Sequence, residues 1–529
     1  MPSLGKLVVA YRRWAEFQTL DPDIPRVQVD DIAARVAAFY EKIRGIVGWT
    51  EEHLLRKSAI VRIFRRSILV TEGEGAIAET LVKDLVRGGY FPNAVIPEAK
   101  VPALGEIIGK YLFLFERLRA HPTRDRRILE EWLYAIAASE VEAFLDPPIR
   151  EEALLEFATE DLDRRITLPK PIPEQERENL IFVAIRESLY KLDEPIITYE
   201  LLKRYIPGWE SLSPDGHGRE TLEQFAADMS RWHGSIEDSF HHSLSGRFYW
   251  AAAAIDTPYL ILGDLLTDLA KKGALTEEAL PSGEALHELV LARYRERIAG
   301  QSKKSLRAAF YSTLSIFITK VVLAFAVEVP LDRLTGEYQT ATLLTNIALP
   351  PLLMIALVFW GFRRPSRRDA NRVIEELNRI LAGDPSSYHI RLPGRRPIFM
   401  LGFVGLLYVA GAAATFGAII WALTTLHFSA LSQGIFIFFV SLIAYAGLRI
   451  RERSKELIVE EKPPGFLHDI VLFFTFPIVE LGRWLSGALL KIRLVALIMD
   501  ALIELPLKFF LDFLEQWRAF LHEKKQRIR

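Results

Sequence analysis

The chain has 529 residues, half of them apolar and a quarter charged, with a formal net charge of −1. That balance gives no general attraction to polyanions, so nucleic acid is not an expected partner. The absence of cysteine excludes disulfides, thiolate metal sites and cysteine nucleophiles.

The opening, MPSLGKLVVAYRRWAEF, has a short apolar stretch ended by Arg12 and Arg13. It is too brief for a secretory signal, so the N-terminal half is expected to stay on the side where it is made. Residues 1 to about 300 read as helices, with apolar positions three and four apart, as at Leu154, Leu155, Ala158 and Leu162. Asp30, Thr50 and Thr276 read as helix starts. The helix around Arg56, Lys57, Arg62, Arg65 and Arg66 alternates base with Leu55, Ile60, Ile63 and Phe64. Such a face either presses onto an anionic surface or is the solvated side of a bundle helix. Gly73-Glu74-Gly75-Ala76-Ile77-Ala78 mimics a dinucleotide fingerprint. It follows a basic helix and offers Glu74 where a pyrophosphate would sit, so a helix–helix turn explains it better. FPNAVIPEAKVP (91–102) and LPKPIP (168–173) punctuate the helices. The second suggests a boundary between helical subdomains over 1–167 and 174–300.

Histidines cluster at His217, His233, His241 and His242. His233, Glu237 and His241 stand four apart, on roughly one helix face, and imidazole with carboxylate suits zinc or a similar metal. There is no HExxH, so the alternative is an ordinary helix surface. Phosphate-binding loops of the GxxxxGK[ST] kind and GxSxG elbows are also absent, and no cofactor is expected.

The character then changes. Ile398–Leu426 and Phe428–Leu448 hold no charged side chain over 29 and 21 positions, long enough to cross the roughly 30 Å hydrocarbon core as helices. With 308–329 and 342–362 they give four expected spans within a 308–448 bundle. Lys320 is the one ionisable residue deep in a span, with Glu328 at the end of the same span, and the second span contains Asn346, Pro350 and Pro351. The third span is rich in small residues (Gly402, Gly405, Gly411, Ala413, Ala414, Gly417), which favour close helix packing within the bundle or between copies. The loop 363–397 holds nine arginines, among them Arg363, Arg364, Arg367, Arg368, Arg395 and Arg396, against four acids. Basic loops stay cytoplasmic and lie near anionic headgroups. That puts both termini in the cytoplasm and the protein in the cell membrane. The tail 466–529 carries charges on a narrow stripe, with Glu480 and Arg483 three apart and Pro477 and Pro506 expected to bend it. It reads as amphipathic helices at the interface, or as further spans.

The expectation is an all-α, multipass membrane protein with a large N-terminal cytoplasmic helical domain. Its function reads as a non-enzymatic membrane-anchored scaffold or regulator binding a cytoplasmic protein partner, with homo-oligomerisation open. The alternatives are an oligomeric small transporter or channel component, resting on Lys320 and Asn346, and a metal-dependent membrane hydrolase, resting on the histidines.

Overall fold

The computed structural model describes residues 4–18, 23–29, 49–70, 73–120, 125–168, 171–216, 218–275, 284–335, 340–361, 367–382, 388–389, 398–455 and 466–491. Asp30, Thr276, His217, Pro506 and the tail beyond residue 491 lie outside them. The described chain is helical apart from one pair of two-residue strands. It divides into two compact units, one of residues 1–293 with 373–391, the other of 294–372 with 392–529.

The first unit is built from α1 (Leu4–Gln18), α2 (Trp49–Val70), α3 (Glu74–Arg87), α4 (Lys100–Ala120), α5 (Arg126–Leu145), α6 (Ile149–Arg165), α7 (Glu174–Leu189), α8 (Glu194–Tyr205), α9 (Arg219–Ala227), α10 (Met229–His241), α11 (Ser245–Ala253) and α12 (Asp256–Lys271). Apolar spacing decides which faces meet. On α3, Ile77, Ala78, Leu81, Val82, Leu85 and Val86 are buried, a three-to-four repeat that makes one stripe. The stripe packs on α4, and α2, α4 and α5 close round it. One core runs from Val27 through Leu145 and on through Phe182, Trp209 and Ile236. The expected boundary at 168–173 therefore does not divide the unit, because α7 to α10 supply part of the same core.

The fingerprint-like Gly73–Ala78 is a helix start. Gly73 sits before α3 at φ 86°, a conformation that costs glycine little. A side chain on Gly105 of α4 would meet the Gly75 backbone at 3.6 Å, and one on Gly109 would meet the Glu74 carboxyl at 2.5 Å. The glycines let α3 and α4 approach closely.

The segment between the second and third expected spans is not merely a loop. It forms α16 (Arg367–Ala382), with Ala370, Val373, Ile374, Leu377 and Ile380 buried, and then a strand, β2 (Tyr388–His389). β2 pairs in parallel with β1 (Ile166–Thr167), Ile166 opposite Tyr388. Arg165 of α6 bonds Glu376 and also Asp161 at 3.2 Å, and Tyr259 of α12 donates to Asp161 at 2.5 Å. Residues 373–391 thus belong to the first unit, where sequence reading places the whole of 363–397 at the headgroups. Arg363, Arg364, Arg395 and Arg396 lie outside the described residues, as do the side chains of Arg367 and Arg368.

The second unit contains most of the 40-residue α13 (Glu284–Leu323), a π-helical turn (Ala324–Glu328), α14 (Val329–Thr335), α15 (Thr340–Gly361), α17 (Ile398–Thr425), α18 (Ala430–Lys455) and α19 (Phe466–Lys491). Among the described residues three helices are long and apolar enough to cross a membrane: Gly402–Thr425, Ala430–Arg449 and Ile470–Ala488. The first two coincide with the third and fourth expected spans. The last falls in the tail, where it runs helical through Pro477 and carries the expected Arg483–Glu480 pair, Nη2 to Oε1 2.5 Å. The helices over 308–329 and 342–362 form, but are not among the three; Leu344–Leu353 is a shorter apolar stretch.

Within the chain, the small residues of α17 meet little. Nothing stands within 4 Å of a side chain built on Gly402, Gly405 or Gly417, and Gly411 alone of those glycines meets a neighbour, Phe473 of α19. The tightest approach is Gly482 of α19 against Ser441 and Tyr445 of α18.

Candidate functional site: a buried lysine, glutamate and asparagine

Charge inside the apolar unit collects at one point. Lys320, near the end of α13, donates to Glu328 Oε1 at 2.6 Å. Asn346 of α15 donates through Nδ2 to Glu328 Oε2 at 2.5 Å. All three are 1% exposed or less. Phe439 of α18 closes the site, its ring centre 5.3 Å from Lys320 Nζ. Sequence reading singles out Lys320 and Asn346 and leaves Glu328 as the end of a span. The structure brings the two together through Glu328.

The chemistry is that of a closed, charge-neutral pair. A lone ammonium among apolar helices is expensive, and a carboxylate with two donors offsets that cost. Asn346 Oδ1 is buried without a hydrogen-bond partner.

The histidine cluster takes a different form from a metal centre. His241 Nδ1 lies 3.2 Å from Glu237 Oε2, and His233 Nε2 is 3.9 Å from Oε1. His233 packs edge-on to Trp132, and His242 reaches Glu176 of α7 at 2.7 Å. Glu237 also shares a hydrogen bond with Glu194, whose carboxyl is pushed up by burial and by that neighbour. Among the described residues no three such side chains converge as metal ligands do. The expected His233, Glu237, His241 set is a strip of helix surface in which both imidazoles turn to the one carboxylate between them.

The basic face of α2 is consumed inside the unit. Arg56 bonds Asp146 at 2.8 Å and lies over the Phe91 ring, Arg65 bonds Glu131 at 2.5 Å, Arg66 bonds Asp84, and Arg62 reaches Tyr90 at 3.2 Å. Arg56 is buried, while Arg65 and Arg66 stay partly exposed and each holds a carboxylate of a neighbouring helix. Lys57 is buried against Asp193. Burial pushes its ammonium down from 10.5 to about 8, while Glu142 and Glu194 pull it back up. A lysine whose folded pKa lies below its unfolded one contributes least below the folded value and recovers as pH rises. Stability is therefore expected to climb between about pH 8 and pH 10.5, by up to about 3 kcal/mol at 1.36 kcal/mol per unit. Thermal unfolding of the parent and of Lys57→Met over that range checks it, since the substituted chain should lack this part of the climb.

The second buried network lies where α4, α5 and the 3₁₀ turn Trp209–Ser211 meet. Lys110 bonds Glu140 Oε1 at 2.6 Å and the Trp209 carbonyl at 2.9 Å, while Tyr111 and Trp209 Nε1 donate to Glu140 Oε2 at 2.6 and 3.0 Å. Burial pushes the Glu140 carboxyl up and the Lys110 ammonium down, and their pairing opposes both shifts. Each carboxylate oxygen has a donor, so the network reads as a satisfied internal brace.

The class of protein these features define is an all-helical chain joining a helical unit to a unit of apolar helices with membrane-crossing length. Compared with known proteins, the chain matches no family model, no curated protein and no solved structure.

Proposed function

We propose that this chain is a non-enzymatic, membrane-anchored scaffold or regulator. The apolar helices hold it in the membrane, and the helical unit binds a protein partner on the cytoplasmic side, where the lysines and arginines flanking the apolar runs favour its placement. The supporting observation is how the chain is threaded. It passes between the two units at 293/294, at 372/373 and at 391/392, and the returning segment 373–391 is fastened by a strand pairing and by the Arg165–Glu376 bond. A domain that only needed anchoring requires one tether. Three crossings fit a protein in which the state of the apolar helices and the state of the helical unit must correspond.

Cross-linking in native membranes followed by purification in mild detergent tests the reading. A protein recovered with the full chain in fixed proportion, and lost when the exposed surface of the helical unit is blocked by an antibody fragment, is the expected result. Recovery of the chain alone across several cross-linker lengths would overturn it.

A further inference from the structure

Lys320 and Glu328 are eight residues apart on one continuous helical run. In a regular α-helix eight residues turn by about 800°, which leaves the two roughly 80° apart round the axis. They are nevertheless bonded at 2.6 Å. The reason is the π-helical turn over Ala324–Glu328. A π turn takes up about one extra residue, or about 100°, and brings Glu328 to within about 20° of the Lys320 face. The ion pair and the widened turn therefore require each other.

We propose that Lys320, Glu328 and Asn346 form an ion-pair lock that sets the register of this helix. With both partners charged, the pair holds the π turn. Loss of the Glu328 charge ends the pairing. The turn then relaxes to α-helix, and Val329–Thr335 rotates by about 100° relative to α13.

The surroundings suit a switch. Lys320 is the charged group facing Glu328 among the described residues; α15 contributes Asn346 and α18 the Phe439 ring. Apolar residues of similar volume often serve stability as well as a buried ion pair does, and the best-attested use of such a pair is to fix register. Single-turn π insertions recur at functional sites.

The absence of cysteine makes the test direct. Spin labels are placed by Leu334→Cys with Trp421→Cys, and separately by Leu331→Cys with Trp421→Cys, in the full chain in lipid vesicles. Leu331, Leu334 and Trp421 are exposed, and all lie in the same unit. Side-chain ends stand about 5 Å from a helix axis, so a 100° turn displaces them by about 8 Å. Two labelling positions on α14 ensure that at least one distance reports it. Adding Glu328→Gln is expected to shift at least one distance by several ångströms. Lys320→Arg, which keeps the charge, leaves the parent distances. A Glu328→Gln chain with both parent distances overturns the register switch. Should that chain fail to fold, Glu328→Gln with Lys320→Met, which leaves no unpaired buried charge, carries the test, and parent distances in it overturn the lock.

Discussion

Glu140→Leu is expected to destabilise the helical unit by about 3–5 kcal/mol, the usual cost of leaving one member of a buried ion pair unmatched. The substitution strands Lys110, which is fully buried and keeps only the Trp209 carbonyl. It also removes the acceptor of Tyr111 and of the Trp209 indole, and an unsatisfied buried donor costs about 1–3 kcal/mol. Denaturant unfolding followed by helical circular dichroism reads the loss. Glu140→Leu with Lys110→Met should recover part of it, because the stranded charge goes while the tyrosine and indole donors stay unpaired. A Glu140→Leu chain as stable as the parent would show that the network braces nothing.

Gly482→Ala is expected to be the most damaging conservative change in the apolar unit. The added carbon would stand 2.6 Å from the Ser441 carbonyl carbon and 2.9 Å from Tyr445 Cβ, and would press on the Ser441 oxygen. The obstacle is backbone, which cannot turn aside as a side-chain tip can, so α18 and α19 must separate. Overpacking costs about 1–3 kcal/mol where side chains can adjust, and the upper part of that range or beyond is expected here. Gly487→Ala in the same helix is the control, since nothing stands within 4 Å of its added carbon. Thermal denaturation in detergent should separate the two by several degrees, with Gly487→Ala near the parent. Equal midpoints would mean that the two helices do not meet at Gly482.

Much of the architecture is legible in the residues because it depends on local pattern. Three- and four-residue apolar spacing is enough to form helices such as α3 wherever their partner lies. Uninterrupted apolar runs announce α17 and α18 as candidate spans, since length and charge alone decide that. The Glu480–Arg483 pair could be seen for the same reason, three residues on a helix being neighbours.

What the pattern could not supply is partner identity. The bases of α2 have the spacing of a free basic face, and only the positions of Glu131, Asp84 and Asp146 elsewhere in the unit make it a paired one. The arginine loop has the composition of a headgroup segment, yet α16 carries Glu376 at the place where Arg165, more than two hundred residues earlier, can bond it. Counting small residues points to α17, while the closest glycine contact among the described residues turns on Gly482 of α19, between Leu481 and Arg483. In the polar cluster, counting at 100° per residue turns Glu328 away from Lys320, and only the π turn reverses that.

From its residues alone, this protein is committed to helices, to their apolar faces and to two greasy segments, because those follow from spacing and from the cost of placing charge in hydrocarbon. Which charges neutralise one another, which segment returns to the helical unit, and how Lys320 finds its carboxylate were decided by tertiary structure. A hydrogen bond is set by distance in space, and the order of residues along a chain does not contain that distance.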